Sequence, residues 1–163
     1  MQKRKGFTAI NIYTDASVFP GEVATWSFCF HDEDGDLAIF SDVCPEWIPT
    51  VSELASIPEA YAIMKATDYI LHMGFGVAVI HSDCETAIRA VLGQNQSNRF
   101  QHNSLDRIAL SMVPTLRRNP SITVRRIKSH SLSAQLGPCM NRVADAVCKA
   151  RARIFLTMQK DAE

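Results

Sequence analysis

No stretch of this sequence is apolar over anything near the roughly 18–20 residues that a membrane-spanning helix needs, so a helical membrane span is not expected. A secretory leader is not expected either. Met1-Gln2-Lys3-Arg4-Lys5 is basic, but Phe7 to Tyr13 alternates apolar with polar residues and offers no continuous apolar core for a signal. A cytoplasmic location is the resulting expectation. No two cysteines have the CxxC spacing, and none combines with histidine in a zinc pattern. The cysteines number five, an odd count that argues against a full disulfide framework and for reduced thiols. Internal repeats and a composition break that would mark a second domain are also absent. A chain of 163 residues is then expected to form one domain with a real core.

Net charge is zero, but the balance is uneven along the chain. Residues 1–98 carry 5 Lys and Arg against 13 Asp and Glu, a balance of −8. Residues 99–163 carry 12 against 4, a balance of +8. An acidic half that supplies metal ligands and a basic half that meets phosphates would account for the split. Solvated charged faces would account for it too.

Periodicity gives a mixed order of elements, βββαβααβα. Thr8–Tyr13, Val23–Phe30 and Leu37–Asp42 read as a meander of strands, with turn signals at Phe19-Pro20-Gly21 and around Gly35. Ala60, Ile63, Met64, Ala66, Thr67, Ile70 and Leu71 follow a 3.6-residue period, and Gly74 stops that helix. Val77–Ile80 is a continuous apolar run, as in a buried central strand. Glu85–Leu92 reads as a short helix, Gln94–Asn103 as a loop, and Leu105–Leu116 as a helix in which Pro114 predicts a kink or early stop. Ile122–Ile127 is a strand, Ser129–Cys139 a loop, and Asn141–Met158 a long closing helix.

Four separated acids occupy places in this order where chemistry collects. Asp15 follows an apolar strand in Tyr13-Thr14-Asp15-Ala16-Ser17, and Asp83 follows another in His81-Ser82-Asp83-Cys84-Glu85. Glu59 and Asp145 fall on predicted helices. Each has a simpler reading. Asp15 is a competent turn cap, Asp83 a helix N-cap, and Asp145 an acid favoured by a helix dipole. Glu59 has a competitor in Glu53, because Thr50-x-x-Glu53 and Ser56-x-x-Glu59 both have the form of a capping box. Pro58 favours Glu59, since proline is tolerated in a first helical turn but breaks a helix already running from Thr50. The spacing of Ala62, Ala66 and Ile70 also puts Glu59 on the core-facing side.

These motifs together resemble the ribonuclease H type 1 family over roughly Ile10 to Arg153. That family has a strand ending in Thr-Asp-(Gly/Ala)-Ser, a Glu early on its first helix, and an apolar strand ending in (Thr/Ser)-Asp-Ser. A His-bearing loop follows the last strand, and Asn-x-x-x-Asp opens the last helix. Tyr13–Ser17, Glu59, Val77–Asp83, Lys128-Ser129-His130 and Asn141–Asp145 match in that order. The separation of Glu59 from Asp83 also fits the family better than that of Glu53. The resemblance implies an α/β fold with a five-stranded mixed sheet, its first three strands antiparallel and helices on both faces. It implies a single ribonuclease H-like domain over residues 1–163, with its core at about 7–155 and no separate hybrid-binding domain.

The function implied is cleavage of the RNA strand of an RNA·DNA hybrid by a monomer using two Mg²⁺ ions about 4 Å apart, with Mn²⁺ accepting the same ligands. Asp15 would bridge both ions, Glu59 and Asp83 would serve one side and Asp145 the other. His130 would assist water positioning or product release, although the span from His130 to Asp145 is long for the family. Ser17, Ser56, Glu85 and Asn141 take the substrate-contact positions. The family often has Asn where Ser56 stands and Gln where Glu85 stands, and Glu85 adds negative charge beside phosphates. The basic protrusion of some members is not evident here, so weaker hybrid affinity is expected. A nuclease of the same fold with another substrate, and a non-catalytic hybrid-binding module beside a polymerase or other partner, are the competing readings.

Overall fold

The structure, a computed structural model, describes residues 9–94, 103–128 and 136–163. Its sheet is built from β1 (Ala9–Phe19), β2 (Val23–His31), β3 (Leu37–Val43), β4 (Val77–Ser82) and β5 (Ile122–Arg126) in the order β3-β2-β1-β4-β5. The first three strands pair antiparallel, and β4 joins β1 and β5 in parallel. This is the predicted mixed sheet. The helices are α1 (Ser56–Met73), α2 (Glu85–Val91), α3 (Asn103–Arg118) and α4 (Leu136–Asp161), and a 3₁₀ turn at Ser52–Leu54 precedes α1.

Alternation along β2 sorts its residues to two faces. Trp26, Phe28 and Phe30 face α1, where Tyr69 packs on Phe28 and Phe30 with ring centroids 5.4 and 5.6 Å apart. Ile57, Ile63 and Ile70 of α1 are fully buried on that side with Ile12 and Ile80 of the sheet. α1 ends where Gly74 takes a left-handed φ of 70° and its N–H returns to the Ile70 carbonyl, a cap that a side chain would strain.

The other face carries α4, which packs on β1, β2 and β3. Thr25, Ser27 and Cys29 of β2 point at it and donate to its main chain one turn at a time. Thr25 Oγ1 reaches the Cys148 carbonyl at 2.8 Å, Ser27 Oγ the Ala144 carbonyl at 2.7 Å, and Cys29 Sγ the Met140 carbonyl at 3.6 Å. Every second strand residue thus meets every fourth helix residue, and the ladder fixes the register of α4 on the sheet. None of the five cysteines forms a disulfide. Burial raises the thiols of Cys29 and Cys44 to about 12, with nearby carboxylates adding to the shift, so both stay protonated.

Several elements differ from the sequence reading. β1 continues through the Asp15 motif to Phe19, because its hairpin with β2 pairs as far as Phe19 with Val23. α4 starts at Leu136, so residues 136–139 are helical and Asn141 lies inside the helix. Proline 138 falls in the first turn, where no N–H is required. Gly137 allows the close approach there, since a Cβ on it would lie 2.9 Å from Ile127 Cδ1. Pro114 neither stops nor ends α3, which runs to Arg118. The carbonyl that it leaves unbonded, four residues back, belongs to Leu110, which is 78% exposed and open to water. β4 is central as expected but buried on one face only. Ala78, Ile80 and Ser82 are covered, whereas Val77 is 41% exposed on the side where α4 covers β1–β3 instead.

Candidate functional site

The site forms where two neighbouring strands part. β1 and β4 pair in parallel up to Tyr13 with His81, after which β1 continues with β2 alone. Asp15 lies just past that point on β1, and Asp83 directly follows Ser82, the last residue of β4. Such a parting at the carboxyl ends of parallel strands is where open α/β sheets form crevices. Thr14 Oγ1 donates to the His81 carbonyl at 3.2 Å and holds the two strands together beneath the crevice. Ser82 Oγ accepts from the Cys84 N–H at 3.2 Å and shapes the turn that presents Asp83. The N-cap of α2 is Cys84, not Asp83, and no side chain completes the cap, so Asp83 is free of that structural duty.

Glu59 enters from the first turn of α1. The Ala16 N–H donates to Asp15 Oδ1 at 2.9 Å and to Glu59 Oε1 at 3.2 Å, so one amide fastens both carboxylates. Among the described residues, Asp15, Glu59 and Asp83 each offer an oxygen, all within 4.8 Å of one another. Glu53 is exposed on the 3₁₀ turn and outside this group. Neither suspected capping box forms, since no side chain caps α1 or the 3₁₀ turn.

Clustering three acids has an electrostatic consequence. Asp15 is 5% exposed, and its carboxyl is pushed up to about 7, first by burial and then by the charges of Asp83 and Asp145. Hydrogen bonds from Glu59 and the Ala16 N–H offset part of that shift. Glu59 is raised well above its ordinary range, by burial first and then by Asp15. The two share a proton when nothing else neutralises them. Glu59 Oε2 is buried without a hydrogen-bond partner among the described residues, and no described Lys or Arg forms an ion pair with Asp15, Glu59 or Asp83. An all-carboxylate donor set of this kind suits a hard divalent cation such as Mg²⁺ or Mn²⁺.

Asp145 stands apart from the triad on α4, near enough to act on Asp15 electrostatically. Its Oδ2 accepts from Lys149 Nζ at 2.8 Å. Asn141, one turn earlier, is 3% exposed, and its side-chain oxygen has no partner among the described residues. Ser17 and Ser56 are half-buried, Ser17 on β1 two residues past Asp15 and Ser56 at the start of α1. Glu85 is exposed, and two guanidinium groups hold it: Arg89 at 2.7 Å from Oε1 and Arg126 at 3.1 Å from Oε2. His130 lies outside the described residues, as do the rest of 129–135, 1–8 and 95–102.

Solved structures share this architecture. A ribonuclease H1 from Halobacterium salinarum superposes with a TM-score of 0.65 at 16% identity, covering 88% of this chain and 97% of its own. The fold is ribonuclease H-like. A compost-metagenome ribonuclease H1, solved in complex with an RNA/DNA hybrid, gives 0.64 at 18% identity, covering 90% of this chain and 99% of its own. The ribonuclease H-like fold is also matched within the protease–reverse transcriptase of prototype foamy virus, at 0.68 and 14% identity over 88% of this chain and 20% of that one. No protein-family model matches the sequence, and no curated protein matches it.

The arginine pair on Glu85 and the lysine on Asp145 were not singled out from sequence. The second had a visible signal, the four-residue helical spacing of Asp145 and Lys149. The β2 ladder onto α4 had none, because Ser27 and Ala144 are 117 residues apart.

Proposed function

We propose that this chain is a divalent-cation-dependent endoribonuclease that cleaves the RNA strand of RNA·DNA hybrids. The observation that supports this most is the cluster of Asp15, buried, with the half-buried Glu59 and Asp83, all within 4.8 Å of one another in a ribonuclease H-like fold. A protein that only bound nucleic acid would have no physical reason to hold repelling carboxylates together around a buried one.

When bound, divalent ions at such a site activate a water and stabilise the departing 3′ oxygen. Asp15, which interacts electrostatically with both Asp83 and Asp145, would be a ligand shared by the cations, with Glu59, Asp83 and Asp145 as the further ligands. The Ala16 N–H keeps Asp15 and Glu59 in a fixed relation, so little reorganisation is needed as cations arrive. Ser17, Ser56, Glu85 and Asn141 would contact the substrate, and His130 would assist water positioning or product release. The hybrid is read by 2′-hydroxyls and backbone shape. A polymerase is the class of protein partner we expect, as in the foamy-virus chain that carries this fold.

The deciding experiment is cleavage of a labelled RNA·DNA hybrid by wild type and Asp15→Asn, with and without Mg²⁺ or Mn²⁺. Single-stranded RNA, duplex RNA and duplex DNA serve as controls. Cation-dependent cutting confined to the hybrid's RNA strand, and lost in the variant, is the expected result. Cutting of a control instead would move the protein to another nuclease activity. Hybrid binding without cutting in either cation would make it an accessory module.

A further inference from the structure

Three of the four acids are ready for a cation and the fourth is occupied. Asp145 Oδ2 is held at 2.8 Å by Lys149 Nζ, one turn further along α4, while Asp15, Glu59 and Asp83 gather without it. Among the described residues, Lys149 is the cation that pairs with a member of this acid set. We infer that Lys149 is a resident counter-ion that governs uptake of the second divalent cation: the free protein takes one ion at Asp15, Glu59 and Asp83, and a second only as the Lys149 ammonium is displaced from Asp145. This rests on the metal-centre reading above.

The pair has the properties that such a device needs. An acid followed four residues later by a lysine is the favourable orientation on a helix, so the contact re-forms whenever Asp145 is free. Both side chains are partly exposed, 45% for Lys149 and 30% for Asp145, so water screens the pair and it is weak enough for a doubly charged ion to break. The lysine backbone is fixed in α4, which the β2 ladder pins to the sheet at the carbonyls of Ala144 and Cys148 on either side of Asp145. The displaced ammonium therefore stays beside the carboxylate and competes for it continuously. An ordinary surface bridge of the same geometry would add slightly to helix stability and leave cation affinity unchanged.

The test is titration of the free protein with Mn²⁺, without nucleic acid, followed by calorimetry and by the paramagnetic resonance of unbound Mn²⁺. Wild type, Lys149→Met, Lys149→Arg, Asp145→Asn and the Asp145→Asn/Lys149→Met double variant are compared after their folding is checked by circular dichroism. The expected result is a tighter and a weaker binding step in wild type. Lys149→Met should tighten the weaker step by about two- to fivefold, the range that a half-exposed ion pair supplies, and leave the tighter one alone. Lys149→Arg should bind as wild type does. Asp145→Asn should remove the weaker step, with no further effect of Lys149→Met in that background. An unchanged weaker step in Lys149→Met overturns the inference, as does an equal gain in the Asp145→Asn background. A tighter step that survives Asp15→Asn and Glu59→Gln would overturn the metal centre itself, a result distinguishable from both.

Discussion

Ser27 Oγ donates a 2.7 Å hydrogen bond to the carbonyl of Ala144, and this one contact links two of the four acids. Ser27 is the cross-strand partner of Asp15, and Ala144 immediately precedes Asp145. A fully buried hydroxyl on β2 thus relates the position of the first acid to the helical turn that carries the fourth. Cys148 Sγ donates to the same hydroxyl at 3.0 Å, so the oxygen is satisfied on both sides.

Ser27→Ala should therefore cost both stability and activity. Loss of a buried hydrogen bond that also leaves the Cys148 thiol without its acceptor costs about 1–2 kcal/mol. For a chain of this size that is a fall in melting temperature of about 3–6 °C. Thermal denaturation by circular dichroism measures it. Thr115→Ala, which removes an exposed hydroxyl bonded within its own helix, should leave both melting and hybrid cleavage near wild type.

Asp15 makes the free protein less stable as pH rises. Its carboxyl has an ordinary value of 3.8 and is raised to about 7 in the fold. Between those values the native state keeps a proton that the unfolded chain has released, so unfolding becomes easier as pH climbs through the interval. Glu59, shifted in the same direction, adds to the slope. In a chelating buffer at pH 8, Asp15→Asn should melt higher than wild type, by about 4–10 °C for a gain of about 2–3 kcal/mol. The gap should shrink toward pH 4. A variant that melts lower at pH 8 would show that the carboxylate is already neutralised by something else.

Glu59 and Glu53 are separable by cation-induced stabilisation. Mg²⁺ that binds only the native state raises the melting temperature in proportion to its occupancy. Wild type and Glu53→Gln should show the same rise in 10 mM Mg²⁺, a working concentration of about that order. Glu59→Gln should show most of it abolished, with hybrid cleavage reduced by about 100-fold or more, as for loss of a group aimed at developing charge. Equal responses of the two variants would remove Glu59 from the site.

Much of the fold was legible because its signals are local. The alternation in β1, the 3.6-residue period in α1 and the Gly74 stop need only neighbouring residues to be read. Asp15 and Asp83 were legible for the same reason, each following an apolar strand. Glu59 over Glu53 followed from Pro58. The start of α4 was not legible, because Gly137 lies close against Ile127, a contact that no local pattern announces. The exposure of Val77 was hidden too, since it depends on which strands α4 covers. Glu85 shows the same limit at the site: an unfavourable charge by sequence, it is paired in the fold with Arg126, 41 residues away.

That pairing changes what Glu85 should do to hybrid binding. By itself a carboxylate beside phosphates weakens binding. Held between Arg89 and Arg126 it instead occupies two guanidinium groups, and Arg126 is the register partner of Ser82, the residue before Asp83. Replacing it by glutamine removes one negative charge and frees both arginines to meet the backbone. Each added phosphate contact steepens the dependence of log affinity on log salt by about 0.7–0.9. Glu85→Gln should therefore bind a hybrid about two- to fivefold tighter at low salt, with a slope steeper by about one unit, and should converge with wild type at high salt. Fluorescence anisotropy across a salt series, in Ca²⁺ to limit cleavage, measures both. Weaker binding with an unchanged slope would mean that the carboxylate holds the arginines in their binding positions, and that its negative charge is a structural requirement of the phosphate surface.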